Sequence, residues 1–137
     1  MAGTAAAAVG TVLKIATSTV AGLTSISGLS LSADTIDTTA LDSTGGYRSF
    51  IGGFKDGGEV SLSGFLIYAD AGQLAIYTAF GSGAVTAFTI VFPDDIGATW
   101  AFNGVVTAYT TGAELEDAVS FEATIKVSGA PTLAATV

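Results

Sequence analysis

Alternation of apolar and polar positions dominates the second half of the chain. Val119, Phe121, Ala123, Ile125 and Val127 are apolar at every odd position, with Ser120, Glu122, Thr124 and Lys126 between them, the pattern of a strand with one wet face. From Ala98 to Tyr109, Trp100, Phe102, Val106 and Ala108 share one face, while Asn103, Thr107 and Tyr109 share the other. Gly104 leaves a gap there for a bulge or a close neighbour. Ala84 to Phe92 is apolar on both sides, with Phe88, Ile90 and Phe92 against Val85, Ala87 and Val91. That stretch predicts a strand buried on both faces, ended by Pro93, Asp94 and Asp95. Earlier, Gly58 to Ile67 sets Val60, Leu62 and Leu66 against Glu59, Ser61 and Ser63, with Phe65 and Ile67 making its far end apolar on both sides. Thr11 to Thr17 reads as a short strand. Thr19 to Ala33 changes hydrophobic phase between Ile26 and Leu29, which makes Gly28 a candidate bulge. The face Trp100, Phe102, Phe121 and Ile125 is expected to be buried between sheets.

Two segments depart from alternation. Leu74, Tyr77 and Phe80 recur at near-helical spacing between Asp70 and Gly81. Asp70 is placed to cap the first turn, Gln73 follows three residues on, and Gly81 suits the C-terminal stop, so a single helix of about three turns is predicted. From Asp34 to Gly57 periodicity is absent, Asp, Thr and Gly are abundant, and the only Arg falls there with one of the three Lys. A strand connection of that length implies a task outside the domain that carries it.

Composition sharpens this picture. The 137 residues suit one domain, yet half are hydrophobic and only 12% are charged, against roughly 25% in an ordinary soluble domain. With a mean hydropathy of +0.64, much of the surface is expected to be covered, most simply by further copies of the chain. Gly, Ser and Thr interrupt every hydrophobic stretch, so no transmembrane helix or membrane anchor is expected. The small, uncharged start Met1 to Gly10 does not read as a signal peptide. Lacking Cys and His, the chain has no thiolate nucleophile, no disulfide, no ordinary zinc ligands and no side chain that naturally titrates near neutrality. The net charge of −8 also opposes a grip on nucleic acid, which depends on several Lys or Arg neutralising phosphates.

The remaining candidates for chemistry have plain structural readings. Asp34, Asp37 and Asp42 with Thr35, Thr38 and Thr39 form an oxygen-rich stretch, but without the alternating ligands, central Gly and terminal Glu of a calcium loop. Asp and Thr side chains bonding their own backbone in turns explain it as well. Glu114, Glu116 and Asp117 could supply a carboxylate pair for glycoside chemistry, or form a solvated strand end. Gly52, Gly53, Gly57 and Gly58 lack the Gly-Lys-Ser/Thr ending of a phosphate loop and supply turns. No enzyme mechanism, cofactor or metal site is therefore expected.

The order of the weaker motifs is more telling. A small-residue arm and two early strands lead to Ala33-Asp34-Thr35-Ile36-Asp37-Thr38-Thr39, then to Ser49 through Val60. A helix follows, then Phe88-Thr89-Ile90-Val91-Phe92-Pro93, Phe102-Asn103-Gly104-Val105-Val106 and Thr124 through Pro131. This order resembles the major tail tube protein of long, non-contractile-tailed bacteriophages over nearly the whole chain. The resemblance implies hexameric rings stacked into a hollow tube through which DNA leaves. It implies a single tail-tube domain over 1–137, with an N-terminal arm at 1–10, a long inter-ring loop at 34–57 and a C-terminal arm at 129–137. The expected fold is all-β, a sandwich or partly closed barrel with one peripheral helix.

Within that reading, Asp34, Asp37, Asp42, Arg48, Phe50, Phe54, Lys55 and Asp56 are the inter-ring candidates. Glu59, Glu114, Glu116, Asp117 and Glu122 are the candidates for a lumen that repels phosphate. Glu122 leads these because it lies mid-strand opposite a core face. The implied partners are further copies of the chain, tape-measure and tail-terminator proteins, and double-stranded DNA passing through without specific binding. The implied location is the virion tail, assembled in the bacterial host cytoplasm. A capsid decoration or head-tail connector subunit is the alternative that composition equally permits.

Overall fold

Among the described residues, nine strands and one α-helix follow in chain order: β1 (Val12–Ile15), β2 (Ser18–Val20), β3 (Leu23–Gly28), β4 (Ser32–Asp37), β5 (Phe50–Asp56), β6 (Glu59–Phe65), α1 (Ala71–Ser82), β7 (Thr86–Val91), β8 (Ala98–Gly112) and β9 (Ser120–Ala135). A computed structural model describes residues 7, 9–42, 44–93 and 95–135. Of the expected N-terminal arm 1–10, only residues 7, 9 and 10 are among the described residues. Seven strands form one antiparallel sheet in the order β2-β1-β7-β8-β9-β6-β3, curled into a half-barrel, and β4 and β5 form a separate two-stranded ribbon. A single curled sheet, rather than a two-sheet sandwich, thus realises the all-β expectation.

One face of the sheet carries the core. Leu13, Ile15, Val60, Leu62, Phe88, Ile90, Phe102, Val106, Phe121, Ala123, Ile125 and Val127 are buried there, and α1 closes over them with Ile76 and Ala79. The alternation in β6, β7 and β9 reproduces this burial because successive side chains of a strand point to opposite faces. Gly104 in β8 is needed for close approach: a Cβ there would lie 2.6 Å from Ile125 Cγ2 and 2.9 Å from the Lys126 carbonyl oxygen.

Several expectations are corrected. Trp100 is only half-buried, unlike Phe102, Phe121 and Ile125. The face assignment at the end of β8 reverses, because Val106 pairs with Ile125 but Ala108 pairs with Thr124. The extra residue, Thr107, makes a bulge that exposes Ala108 and turns Tyr109 onto the core, where its ring stacks on Phe121 at 5.9 Å. The second face expected to be buried between Ala84 and Phe92 is not: Val85, which precedes β7, and Ala87 are exposed, and Val91 is half-buried. Val119 precedes β9 and is exposed, and Leu66 and Ile67 lie past the end of β6. The stretch Thr19 to Ala33 is divided among β2, β3 and the start of β4, with its bulge at Thr24. Gly28 instead closes β3 beside Leu29, whose amide donates to the Glu59 carbonyl at 3.2 Å.

The expected C-terminal arm continues β9 through Ala135. After an irregularity around Gly129–Pro131, it pairs with the first residues of β8. The helix begins at the expected cap, with Asp70 accepting from Gln73 N, but runs past Gly81 to end at Gly83 in a left-handed conformation.

Candidate functional site

Three surfaces outside the core follow from this architecture: the ribbon, the open face of the sheet, and the end of the sheet opposite the ribbon. The segment expected to be an aperiodic loop is largely the β4–β5 ribbon. Ala33 pairs with Lys55, Ile36 with Ile51 and Asp37 with Phe50, and two residues of β5, Gly53 and Phe54, oppose the single Asp34. This bulge displaces the phase of β5, which hides alternation from a reading of the sequence. The apolar side chains of the ribbon face outward: Ile36, Phe50 and Ile51 are exposed, and Phe54 is 90% exposed.

Local polar bonds shape the ribbon's outer part. Asp37 accepts from Thr39 N at 2.8 Å and from Arg48 Nη1 at 3.2 Å, while Thr39 Oγ1 accepts from Ser49 N at 2.8 Å. These bonds, led by those from Thr39, hold the Asp37 carboxyl below the usual aspartate range. Asp37 thereby behaves as a turn-forming side chain. Asp42 lies further out and is exposed.

At the ribbon's base, Asp56 Oδ1 accepts from Gly58 N at 2.8 Å and from Lys126 Nζ at 2.9 Å. The Gly58 bond first, then the ammonium of Lys126, depresses the Asp56 pKa. Gly58 adopts a φ of +76°, and a Cβ would meet the Ser30 carbonyl oxygen at 2.6 Å. Only glycine suits this junction between ribbon and sheet.

The open face of the sheet is built mostly from small polar side chains. Glu59 pairs with Lys126, Ser61 with Thr124 and Ser63 with Glu122 across β6 and β9, and the Ser63 hydroxyl lies 3.4 Å from Glu122 Oε1. Asn103 and Ala101 of β8 and Thr89 of β7 extend the same face, with Lys14 on β1 beyond them. Of the five lumen candidates, Glu59 and Glu122 therefore share one open surface. The other three do not: Glu114, Glu116 and Asp117 form an exposed turn between β8 and β9, closed by Asp117 N donating to the Glu114 carbonyl at 3.2 Å. Lys126 turns toward Asp56 instead of offsetting Glu122.

Beside that turn lies an apolar end of the sheet that no chemical motif in the sequence marks. Phe65, Leu66, Ile67 and Tyr68 are exposed in succession, next to Val119 and the 95% exposed Leu115. Its signal was present in the apolar run Phe65–Tyr68, which alternation alone left without a direction. Among the described residues no cluster of three potential metal ligands occurs, and no helix is long and apolar enough to cross a membrane.

Comparison with known proteins gives this geometry a family. Residues 10–134 match the model of the lambda phage tail tube protein family. No curated protein matches. A chain in the virion of a native gene transfer agent particle is 25% identical and superposes with a TM-score of 0.79, covering 96% of this chain and 100% of that one. A chain in the tail of an empty gene transfer agent particle with C6 symmetry is 28% identical, with a TM-score of 0.69 and 85% of each chain covered. The SPP1 tail tube is 17% identical with a TM-score of 0.66, covering 93% of this chain and 76% of that one, a likeness of fold.

Proposed function

Because this chain belongs to the lambda phage tail tube protein family, we propose that it is the repeating structural subunit of a hollow virion tail, built from stacked six-membered rings. The observation that carries the architecture is the ribbon. Ile36, Phe50, Ile51 and Phe54 project outside the core, and water contact with so many apolar side chains is relieved only when another subunit covers them. The ribbon is read as the inter-ring element. The six-fold ring is inferred from the C6 tail of the gene transfer agent relative.

The open sheet face is read as the lumen wall. Its Ser, Thr, Ala and Asn side chains offer phosphate few fixed positive charges, and Glu59 and Glu122, repeated around a ring, add mild repulsion. DNA then slides without being held. Terminator and tape-measure proteins would meet the tube at its ends and in its bore. The role is structural rather than catalytic, exercised in the virion tail after assembly in the host cytoplasm.

The test is electron microscopy of the purified protein alongside a variant in which residues 34–54 are replaced by Asn-Gly. A two-residue turn can join Ala33 to Lys55 because these residues already pair. The full chain should form tubes, and the variant should stay folded but fail to elongate. A shortened chain that polymerises with normal yield and length would overturn the inter-ring reading.

A further inference from the structure

β2 and β3 are the two edges of the seven-stranded sheet, yet only Ala21 and Gly22 lie between them in the chain, so the sheet curls until its edges meet at that corner. The corner is fastened to α1: Ala21 N donates to Asp70 Oδ2 at 3.0 Å, and the Ala21 carbonyl accepts from Gln73 Nε2 at 2.7 Å. From there β3 runs on to Gly28, and among the described residues no strand pairs with its outer edge. A slit of about 590 Å³ is left open, lined by Leu23, Ile26 and Leu29 on the β3 side and by Ile90, Phe92 and Trp100 on the other. Its size lies within the roughly 300–1,000 Å³ of ordinary binding clefts. No lining side chain is charged, so a segment carrying an ion would lose hydration there without a partner.

We propose that residues 2–6 of the same chain add to the free edge of β3 and fill this slit. The chain already leads into it. Ala7 is one of the lining residues, and the turn at Val9 and Gly10, with Gly10 at a φ of +100° and close to Pro93, carries the chain from the slit into β1. The segment is chemically matched, because Ala2, Gly3, Thr4, Ala5 and Ala6 carry no charge and their small side chains let the backbone approach a strand edge. It is matched in length as well. Residues 2–7 reach roughly 20 Å at about 3.3 Å per residue, equal to the six residues of β3. The added strand pairs backbone groups that the edge would otherwise offer to any passing chain, and it covers apolar side chains. A free subunit closed in this way does not pair at β3 with stray copies. The docking is independent of the ribbon's stacking role.

The chain lacks cysteine, so a disulfide reads the contact directly. Ala5→Cys is combined in turn with Thr24→Cys, Ser25→Cys or Ile26→Cys, three neighbouring positions that line the slit and sample the possible registers. Cα atoms of paired strands lie within the roughly 7 Å limit for such a bond. On oxidation, dispersed subunits should form an intrachain link in at least one pair, seen as a monomer of raised gel mobility that has lost two hydrogens. No link in any pair overturns the proposal. Links formed only between chains overturn it too, and would give the slit to a second copy.

A variant that undocks the segment gives a second reading that does not depend on cysteine. Ala5→Asp with Ala6→Asp places charge in the apolar slit without touching the described core. Binding of anilinonaphthalene sulfonate should rise several-fold, and the amides of Leu23–Gly28 should exchange about ten-fold faster, with the far-UV circular dichroism nearly unchanged. Dye binding and exchange equal to those of the unaltered chain overturn the proposal.

Discussion

Lys126 Nζ lies 2.9 Å from Asp56 Oδ1, so a cation on the open face of the sheet reaches the base of the ribbon. The same carboxylate oxygen accepts the Gly58 amide, so one oxygen joins the end of β5 to the turn before β6 and to β9. Both side chains are about half exposed, which makes the pair a small contributor to stability.

The first prediction concerns pH. The folded-state pKa of Asp56 is depressed below its ordinary 3.8, so its contribution is present above that value and is lost as pH falls through the lower, folded one. Protection of the Gly58 amide from hydrogen exchange should hold at neutral and mildly acidic pH. It should fall only as pH drops through the depressed folded value, and be lost already at neutral pH in Asp56→Ala, which removes the acceptor. Protection unchanged by the substitution would show that the bond does not hold the ribbon's base.

The second prediction concerns the core. Phe121 is fully buried and stacks on Tyr109. Phe121→Ala should cost about 3–5 kcal/mol, from lost transfer energy and the cavity left behind. In a chain of this length that lowers the thermal midpoint of the unassembled subunit by on the order of 10–20 °C. A midpoint unchanged within error would place this side chain outside the core.

A third prediction follows from Gln73, which is only 2% exposed. Its Nε2 donates to the Ala21 carbonyl at 2.7 Å and the Phe65 carbonyl at 2.9 Å, and its Oε1 accepts from Ile67 N at 2.8 Å. One side chain thus ties α1 to the ends of β3 and β6. Gln73→Leu matches its volume but leaves those groups unpaired, at about 1–3 kcal/mol for a buried orphan. Chemical denaturation should show a loss of at least about 2 kcal/mol, and a neutral result would mean that water replaces the amide.

The fourth prediction concerns passage of DNA. Glu122→Lys places a new cation on the open face, repeated by every subunit of the tube, without touching core or ribbon. Tubes of normal length should assemble, and genome ejection from virions carrying the change should slow, most at low ionic strength. Normal ejection from normal tubes would put Glu122 on the outer wall.

The strands, the helix and its Asp70 cap were legible because each depends on local geometry. A period of two lays apolar side chains on one face of a strand, and a side-chain oxygen satisfies a free amide at the helix start. Low charge and high hydropathy were legible too, and they implied coverage by other chains before any fold was known. The tertiary structure decided what depends on register. The extra Thr107 turned Tyr109 inward, and the bulge at Gly53–Phe54 made a ribbon of a segment that reads as a loop. Gln73 shows the same limit: spacing suggested a capping partner, and its N does donate to Asp70, but only the tertiary structure brings Ala21 and Phe65 to its buried side-chain amide. Alternation says which residues share a face, but strand pairing decides which way that face points. A bulge of one residue reverses the answer for everything beyond it.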